Sequence, residues 1–411
     1  MPNTHDLDVL RELATRVAEI AALPVQEEKR QLWRALNALK PVRPMVMIDQ
    51  VCWNEMDVNG ELVLRCEDAE CRGYEDFMRR TLYQWHRFRV DMVVEPFLRV
   101  PKAIRNTGFG VPRQQETAVT DPTNPVVGHR YFNQFETDAD LDKLQMPQVS
   151  HDPGEEERRL ALAHEVFDGI IEVRAWGANA AVSLWDPISQ WMSVEGALWA
   201  LTDRPGFMHR LLRKFTDGYM CMFDQLEEQG LLCGPQSVVH CTGAWVDELP
   251  APGYDPARPR CRDMWAMGLA QMFSTVSPKM FQEFEVDYVA PVFERFGLVY
   301  YGCCDPLDRK MDQVRMIPNV RKVSMSAWTD QELGASEIGG DYVFSRKPNP
   351  ASLATDVFHA EAVREDLQTT TEICAHHGCP LEIILKDIST VRYDPQRLSQ
   401  WAAIAMEVAG A

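Results

Sequence analysis

Cys303 and Cys304 stand side by side at the end of an apolar run, Leu298–Tyr301, and directly ahead of Asp305 and Pro306. A thiol attacks carbon or binds metal as the thiolate, so such a pair admits three roles: metal ligand, nucleophile or redox-sensitive vicinal pair. The plainer alternative is that both thiols fill small apolar space. His240-Cys241, in SVVHCTGAW, is a second candidate, because a short apolar run leads into it and a turn follows. Adjacent strand residues point to opposite faces, so at most one of these two is expected to face a central site. ICAHHGC, with His376, His377 and Cys379, precedes the last strand and reads as a helix end and loop.

Further polar residues recur where apolar runs stop: Asp49 and Gln50, Glu95, Asp247 and Glu248, Ser326 and Trp328, Arg346 and Lys347, Lys386 and Asp387. Acids, cations and thiols meeting at strand ends form the kind of ring in which α/β folds carry chemistry. The FSRKPNP turn places two cations after a strand and suits an anionic substrate group. Trp53, Trp176, Trp185, Trp191, Trp245 and Trp328 suggest an aromatic-lined cavity.

The whole chain narrows the class. Its 411 residues carry 42 Lys+Arg against 61 Asp+Glu, a net charge of −19. That balance argues against nucleic acid or an anionic membrane surface as partner, since both need a basic footprint. No apolar run approaches a membrane span. MPNTHDLDVLRELATR lacks a basic start followed by an apolar stretch, so no signal peptide is expected. Eleven cysteines, an odd number without paired CxxC spacing, argue against a disulfide framework. A cytoplasmic enzyme acting on a small molecule, alone or as a homodimer, is the expectation.

The elements that must position these residues are legible as alternating runs. Residues 1–40 form a helical extension split by Pro24. Met45–Ile48 reads as a buried strand ending at Asp49, and Met92–Val94 as a second one ending at Glu95. Residues 104–155 lack periodicity, and so long a connection suggests a lid-like insertion over the site. Helix returns at 155–167, strand at 170–175 and helix over 187–230. Ser277 and Pro278 open a helix whose apolar face includes Phe281, Phe284, Tyr288 and Phe293, and Gly297 closes it. Strands at Leu298–Tyr301, Val320–Met325, 341–344 and Leu381–Leu385 then alternate with helices, as parallel βαβ units do. No glycine-rich dinucleotide fingerprint follows any strand. The fold expected is α/β: a single (β/α)8 TIM-type barrel over 41–411.

Three stretches carry a family resemblance: WDPISQWMSVEGALWALTDRPGFMHRLLRKFTDGYMCMFDQLEEQG (185–230), WAMGLAQMFSTVSPKMFQEFEVDYVAPVFERFGLVYYGCCDPL (265–307) and the tail LEIILKDISTVRYDPQRLSQWAAIA. In this order they resemble the uroporphyrinogen decarboxylase superfamily. The resemblance implies a distorted (β/α)8 barrel and one of two chemistries, tetrapyrrole decarboxylation or zinc-dependent methyl transfer between corrinoids and thiols. Decarboxylases of this kind use an arginine-rich loop after the first strand, where this chain has IDQVCWNEM (48–56); Arg105, Arg113 and Arg130 lie in the insertion instead. In the methyltransferase branch, His-x-Cys and a later cysteine hold zinc. Cys303 matches the cysteine, Tyr301 stands in place of the histidine, and the last strand ends in Lys386-Asp387.

The resemblance thus points to a methyltransferase-like or demethylase enzyme moving a methyl group to or from a corrinoid or thiol, the corrinoid being carried by a partner protein. A lyase acting on a polycarboxylate or tetrapyrrole, and a barrel that binds a corrinoid or small molecule without turnover, are the alternatives. The site expected is Cys303, Cys304, Asp305 and Tyr301 for catalysis. Asp49, Gln50, Glu95, Ser326, Trp328, Arg346, Lys347 and Lys386 would bind substrate around one mouth. Zinc, if used, would sit on Cys303 and His240.

Overall fold

Short runs of residues buried on both faces build the centre of the molecule, the pattern of a parallel sheet covered by helices. The structure, a computed structural model, describes residues 2–411 other than 120, 121, 123, 125 and 126. The N-terminal extension forms α1 (Thr4–Ala21) and α2 (Pro24–Asn37), with Pro24 at the first turn of the second helix. β1 (Met45–Ile48), α3 (Ala69–Arg87) and β2 (Phe97–Pro101) follow. Four short strands of the insertion pair antiparallel among themselves: β3 (Ile104–Asn106) with β6 (Val149–His151), and β4 (Gln115–Ala118) with β5 (Gly128–Tyr131). Next come α4 (Pro153–Phe167), β7 (Glu172–Trp176), β8 (Ala180–Val182), and the helices α5 (Trp185–Met192), α6 (Val194–Asp203) and α7 (Pro205–Glu228).

A small hairpin of β9 (Val238–Val239) and β10 (Thr242–Gly243) precedes the regular half of the chain. There β11 (Trp265–Gly268), β12 (Leu298–Tyr301), β13 (Val320–Met325), β14 (Val343–Arg346) and β15 (Leu381–Leu385) alternate with helices. The first of those connections is α8 (Pro278–Phe281) and α9 (Asp287–Phe293), joined by a π-turn at Gln282–Val286; α10 (Met311–Val314), α11 (Gln331–Ile338), α12 (Ala360–His377) and α13 (Gln396–Val408) complete the set.

Seven strands form one parallel sheet in the order β1-β15-β14-β13-β12-β11-β8. β2 and β7 form a separate parallel pair, and β7 leads into β8 through Gly177, where a Cβ would lie 2.3 Å from the Leu231 carbonyl oxygen. The large sheet curls around the β9–β10 hairpin: Trp265 Nε1 donates to the Ala244 carbonyl (2.9 Å), Lys322 Nζ to Thr242 Oγ1 (3.1 Å), and Thr242 Oγ1 to Glu382 Oε2 (2.7 Å). The result is barrel-like, with an open seam between β1 and β2.

That seam corrects one expected strand. Four backbone groups of 90–94 are already claimed by α2 side chains, while Asp91 N–H donates to the Val46 carbonyl of β1 (3.0 Å). Lys29 Nζ donates to the carbonyls of Val90 (2.7 Å) and Met92 (3.3 Å), Trp33 Nε1 to that of Asp91 (3.0 Å), and Gln26 Oε1 accepts from Val94 N–H (2.9 Å). Backbone groups spent in this way cannot form a ladder, so the strand begins at Phe97 instead. Glu95 therefore precedes its strand, 4.0 Å from Arg30 of α2. Because Trp33 and Leu36 of α2 pack on Met45 and Val343, the first residues of β1 and β14, this is the end where strands begin.

The insertion lies along the helices that follow β8. Phe109 stacks on Phe215 of α7 with ring centroids 4.1 Å apart, Phe135 packs near Trp191 and Phe207, and Lys214 donates to the Leu141 carbonyl (3.0 Å). The DPTNP stretch of the insertion lies mostly outside the described residues. No described helix is long and apolar enough to cross a membrane.

Candidate active site

The hairpin is the local device that builds the site. Ala244 N–H closes it on the Ser237 carbonyl (2.9 Å), leaving His240 and Cys241 as its tip with φ of 40° and 70°. Left-handed backbone at non-glycine residues is strained and persists only where surrounding structure enforces it. Here the stem does so. Asn37 of α2 donates to the carbonyls of Gly243 (3.0 Å) and Trp245 (2.8 Å), and Lys322 holds the Gly243 carbonyl (2.9 Å) together with Glu382 (2.8 Å).

The tip is presented to the C-terminal ends of β12, β14 and β15. Strand alternation does not separate His240 from Cys241, as expected from sequence, because both sit in the turn. The His240 ring lies 5.0 Å from that of Tyr300 and interacts with Cys303, while Cys241 feels the charges of Asp49, Lys347 and Lys386. Burial lowers the His240 pKa, and Nε2 is buried without a hydrogen-bond partner.

Cys303 is the centre. Gly302, at φ 94°, turns the chain sharply after β12 and leaves the following thiol only 5% exposed. Lys386 Nζ donates to Cys303 Sγ at 3.0 Å and lies 3.2 Å from Asp387 Oδ2; Cys304 Sγ stands 3.5 Å from Cys303 Sγ on the exposed side. The Cys304 thiol and, against the cost of burial, the neighbouring His240 ring and the Lys386 charge hold the Cys303 pKa well below the usual thiol range. Cys304 moves the opposite way, raised by its neighbour. Burial works against the Lys386 ammonium, but the Cys303 thiolate and Asp387 keep its pKa above the ordinary lysine value. Lys347, fully buried, is pulled down to about 8 by desolvation. It donates to Ser345 Oγ (2.9 Å) and lies over the Tyr300 ring at 5.1 Å. The arrangement is a buried thiolate–ammonium pair flanked by a neutral imidazole and a second, weakly basic amine.

The other expected residues divide. Asp49 sits at the end of β1, accepts from Gln50 N–H (2.7 Å) and acts on Cys241; Gln50 is exposed at φ 50°. Asp305 is buried beside Cys303, whose N–H donates to its Oδ1 (3.4 Å); burial pushes it up to about 6 and Oδ2 has no partner. Tyr301 faces away from the cluster, into the helical layer, where its hydroxyl donates to Glu285 Oε1 (2.9 Å) between Phe281 and Phe293. Burial pushes Glu285, in the π-turn, up to about 8. Arg346 also points outward, to Asp366 of α12 (3.2 Å) and the Ser326 carbonyl (3.0 Å). Ser326 Oγ accepts from Trp328 N–H (3.3 Å) in a local turn, and Trp328 is 74% exposed. Glu95, Asp247 and Glu248 belong to the opposite end, beside Arg30, Arg34 and Arg321. ICAHHGC is a helix end: α12 stops at His377, with Gly378 left-handed after it.

Sequence reasoning missed Tyr300, Ser345 and the Lys322–Glu382 pair. Alternation along β12 carried the Tyr300 signal, since Leu298 and Tyr300 pack on Val239 and Trp265 inside the curl of the sheet.

The residues present do not fit zinc. Among the described residues no three His, Cys, Asp or Glu side chains are grouped to hold a metal ion, and beside Cys303 the counter-charge is already the Lys386 ammonium. Structural zinc sites use four ligands and catalytic ones three plus an open position.

No protein-family model matches the chain, and no curated protein does. Solved structures do. One is a methyltransferase from Methanosarcina mazei, 10% identical, with a TM-score of 0.51 over 92% of this chain and 97% of that one. At this identity the likeness is one of fold.

Proposed function

We propose that this chain is a methyltransferase-like enzyme on a distorted (β/α)8 barrel, with the seam between β1 and β2 as the distortion and Cys303 as its nucleophile. The observation that carries this reading is the buried contact of Lys386 Nζ with Cys303 Sγ at 3.0 Å. A thiol needs a neighbouring positive charge to ionise at neutral pH, and lysine supplies what zinc would supply elsewhere. The Cys303 sulfur pair attacks the methyl carbon of a donor CH3–X, the C–X bond breaks with its electrons going to X, and S-methyl Cys303 results. An acceptor thiolate then takes the methyl in a second displacement, and Lys386 stabilises the departing Cys303 thiolate. Lys347 and His240 flank the sulfur and orient the donor. A donor such as a corrinoid held by a partner protein, or a small thiol acceptor, would approach on the exposed side, where Cys304 and Asp387 reach solvent.

Anaerobic incubation with methylcobalamin tests this, with Co(I) as the leaving group. The expected result is loss of the methylcobalamin spectrum and one added methyl on the peptide containing Cys303, retained in Cys304→Ser and absent in Cys303→Ser. Undiminished methyl transfer to a thiol by Cys303→Ser would remove this cysteine from the chemistry.

A further inference from the structure

A cavity of about 860 Å³ opens at the seam between β1 and β2, and neither Cys303, His240, Lys347 nor Lys386 lines it. The seam is built into the fold. The Asp91 carboxylate accepts Val46 N–H (2.8 Å) and pairs with Arg43 (2.6 Å), while Gln84 Nε2 donates to the Ile48 carbonyl (3.1 Å). These side chains, with Asp91 N–H on the Val46 carbonyl (3.0 Å), satisfy the edge of β1 that a neighbouring strand would otherwise occupy, so the opening leaves few backbone groups wanting.

Its walls are mostly apolar, with Met47, Met78, Phe97, Leu98 and Trp245 among them. Three arginines also line it, and they differ in one respect. Arg158 and Arg159 are matched by Glu155 (2.8 Å each), and Arg158 also by Glu70 (2.9 Å). Arg99 has no ion pair among the described residues. One guanidinium nitrogen donates to the neutral Ser237 hydroxyl, Nε is buried without a partner, and the group stacks over Trp176 at 4.4 Å. Glu95, the nearest acid by charge, is turned toward Arg30. Asp49, at the far end of the cavity, caps Gln50. A guanidinium taken out of water needs a counter-ion, and bidentate carboxylate is its best geometric match.

We propose that this cavity binds a small monocarboxylate with an apolar body, the carboxylate on Arg99 and the body against Met47, Met78, Phe97, Leu98 and Trp245. The volume lies within the range of small-molecule sites, roughly 300–1,000 Å³. Because the site stands apart from Cys303, its test is binding alone.

Calorimetric titration of the full chain with decanoate and with naphthoate, and with decanol and naphthol as uncharged counterparts, decides the matter. One of the two carboxylates is expected to saturate a single site per chain, at least about tenfold tighter than its alcohol, and Arg99→Gln to abolish that preference. The carboxylate that binds tells whether the body is aliphatic or aromatic. Gly73 gives a second variant: it lies on α3 at the cavity wall, nothing stands within 4 Å of where its Cβ would be, and leucine favours helix. Gly73→Leu is expected to fold and to weaken binding at least about tenfold by filling the cavity. No binding of either carboxylate, or affinity unchanged in Arg99→Gln, overturns the proposal. Should Arg99→Gln fail to fold, unchanged affinity in Gly73→Leu overturns it equally.

Discussion

Lys322 and Lys386 are both buried, both reach the interior of the curled sheet and both face an anion, yet they are set differently. Lys322 uses all three of its donors, on Glu382 (2.8 Å), Gly243 (2.9 Å) and Thr242 (3.1 Å). Pair and hairpin stem lock one another. Lys386 has the Cys303 sulfur (3.0 Å) and Asp387 (3.2 Å), with the exposed Cys304 next to them. Backbone conformation follows the same division. Lys322 and Glu382 lie inside regular strands, whereas Gln50, His240, Cys241, Gly302 and Asp387 around the upper pair all have positive φ. A saturated ion pair fixes geometry; an unsaturated one, held by strained turns, keeps a reactive atom available.

The comparison can be broken most forcefully at its lower member. Lys322→Met leaves the Glu382 carboxylate buried and unpaired, and urea unfolding should show a loss on the order of 3–5 kcal/mol, most of it regained in the double variant with Glu382→Leu. Unchanged stability in Lys322→Met would mean that the pair does not hold the hairpin.

Glu285 sharpens the contrast as a buried acid with no cation in contact. Its folded pKa of about 8 lies above the ordinary 4.5, so its contribution is fully favourable below about pH 4.5 and is lost as pH rises through about 8. The difference, 8 − 4.5 = 3.5 units at about 1.4 kcal/mol each, sets an upper bound near 4–5 kcal/mol. Glu285→Gln should match the parent protein near pH 5 and exceed it in stability near pH 8; parallel pH profiles would place the carboxyl in a better-solvated setting.

At the upper member the effect falls on reactivity. Lys386→Met removes the cation beside the sulfur, so the Cys303 pKa must rise. Alkylation of Cys303 by iodoacetamide at pH 6 should slow roughly ten- to a hundredfold, with a smaller stability loss than in Lys322→Met. An unshifted pH–rate profile would transfer the activating role to His240 or Cys304. The smallest effect is expected at Gly302, where a Cβ would lie 2.6 Å from Leu307 Cδ1 at φ 94°. Gly302→Ala should cost on the order of 1–2 kcal/mol and displace Cys303 from Lys386, read as a partial loss of the same alkylation rate.

The sequence signals that worked are local ones. Ser277 caps its helix by accepting from Met280 N–H, Pro278 opens it and strand Leu298–Tyr301 follows Gly297, all within one continuous stretch of chain. The meeting of Cys303 with Lys386 was also legible, since both end strands of one parallel order. What escaped depends on partners far along the chain. Nothing in the stretch 90–94 announces that Gln26, Lys29 and Trp33 will take its backbone bonds, and these bonds leave Glu95 ahead of its strand. Nor does SVVHCTGAW announce a hairpin held upright by Glu382, 140 residues on. Tyr301 and Arg346 are different cases. Alternation in β12 and β14 already sends Tyr300, Ser345 and Lys347 to one side and these two to the other. Tyr301 ends the best-matched strand, but the face of that strand turns it away from the cluster.

The clasp of α2 on the hairpin stem also sets a schedule. Asn37 leaves the ribosome 206 residues before the Gly243 carbonyl it will hold, and the Glu382 that braces the other side comes later still. Arms of two residues are too short to stand alone, so the tip rises only when β15 has been made and paired beside β1. Lys386 follows directly on β15. Until then Cys303 has no ammonium beside it and remains an ordinary thiol on a nascent chain, among ten others. The sulfur becomes reactive only once β15 and Lys386 are in place.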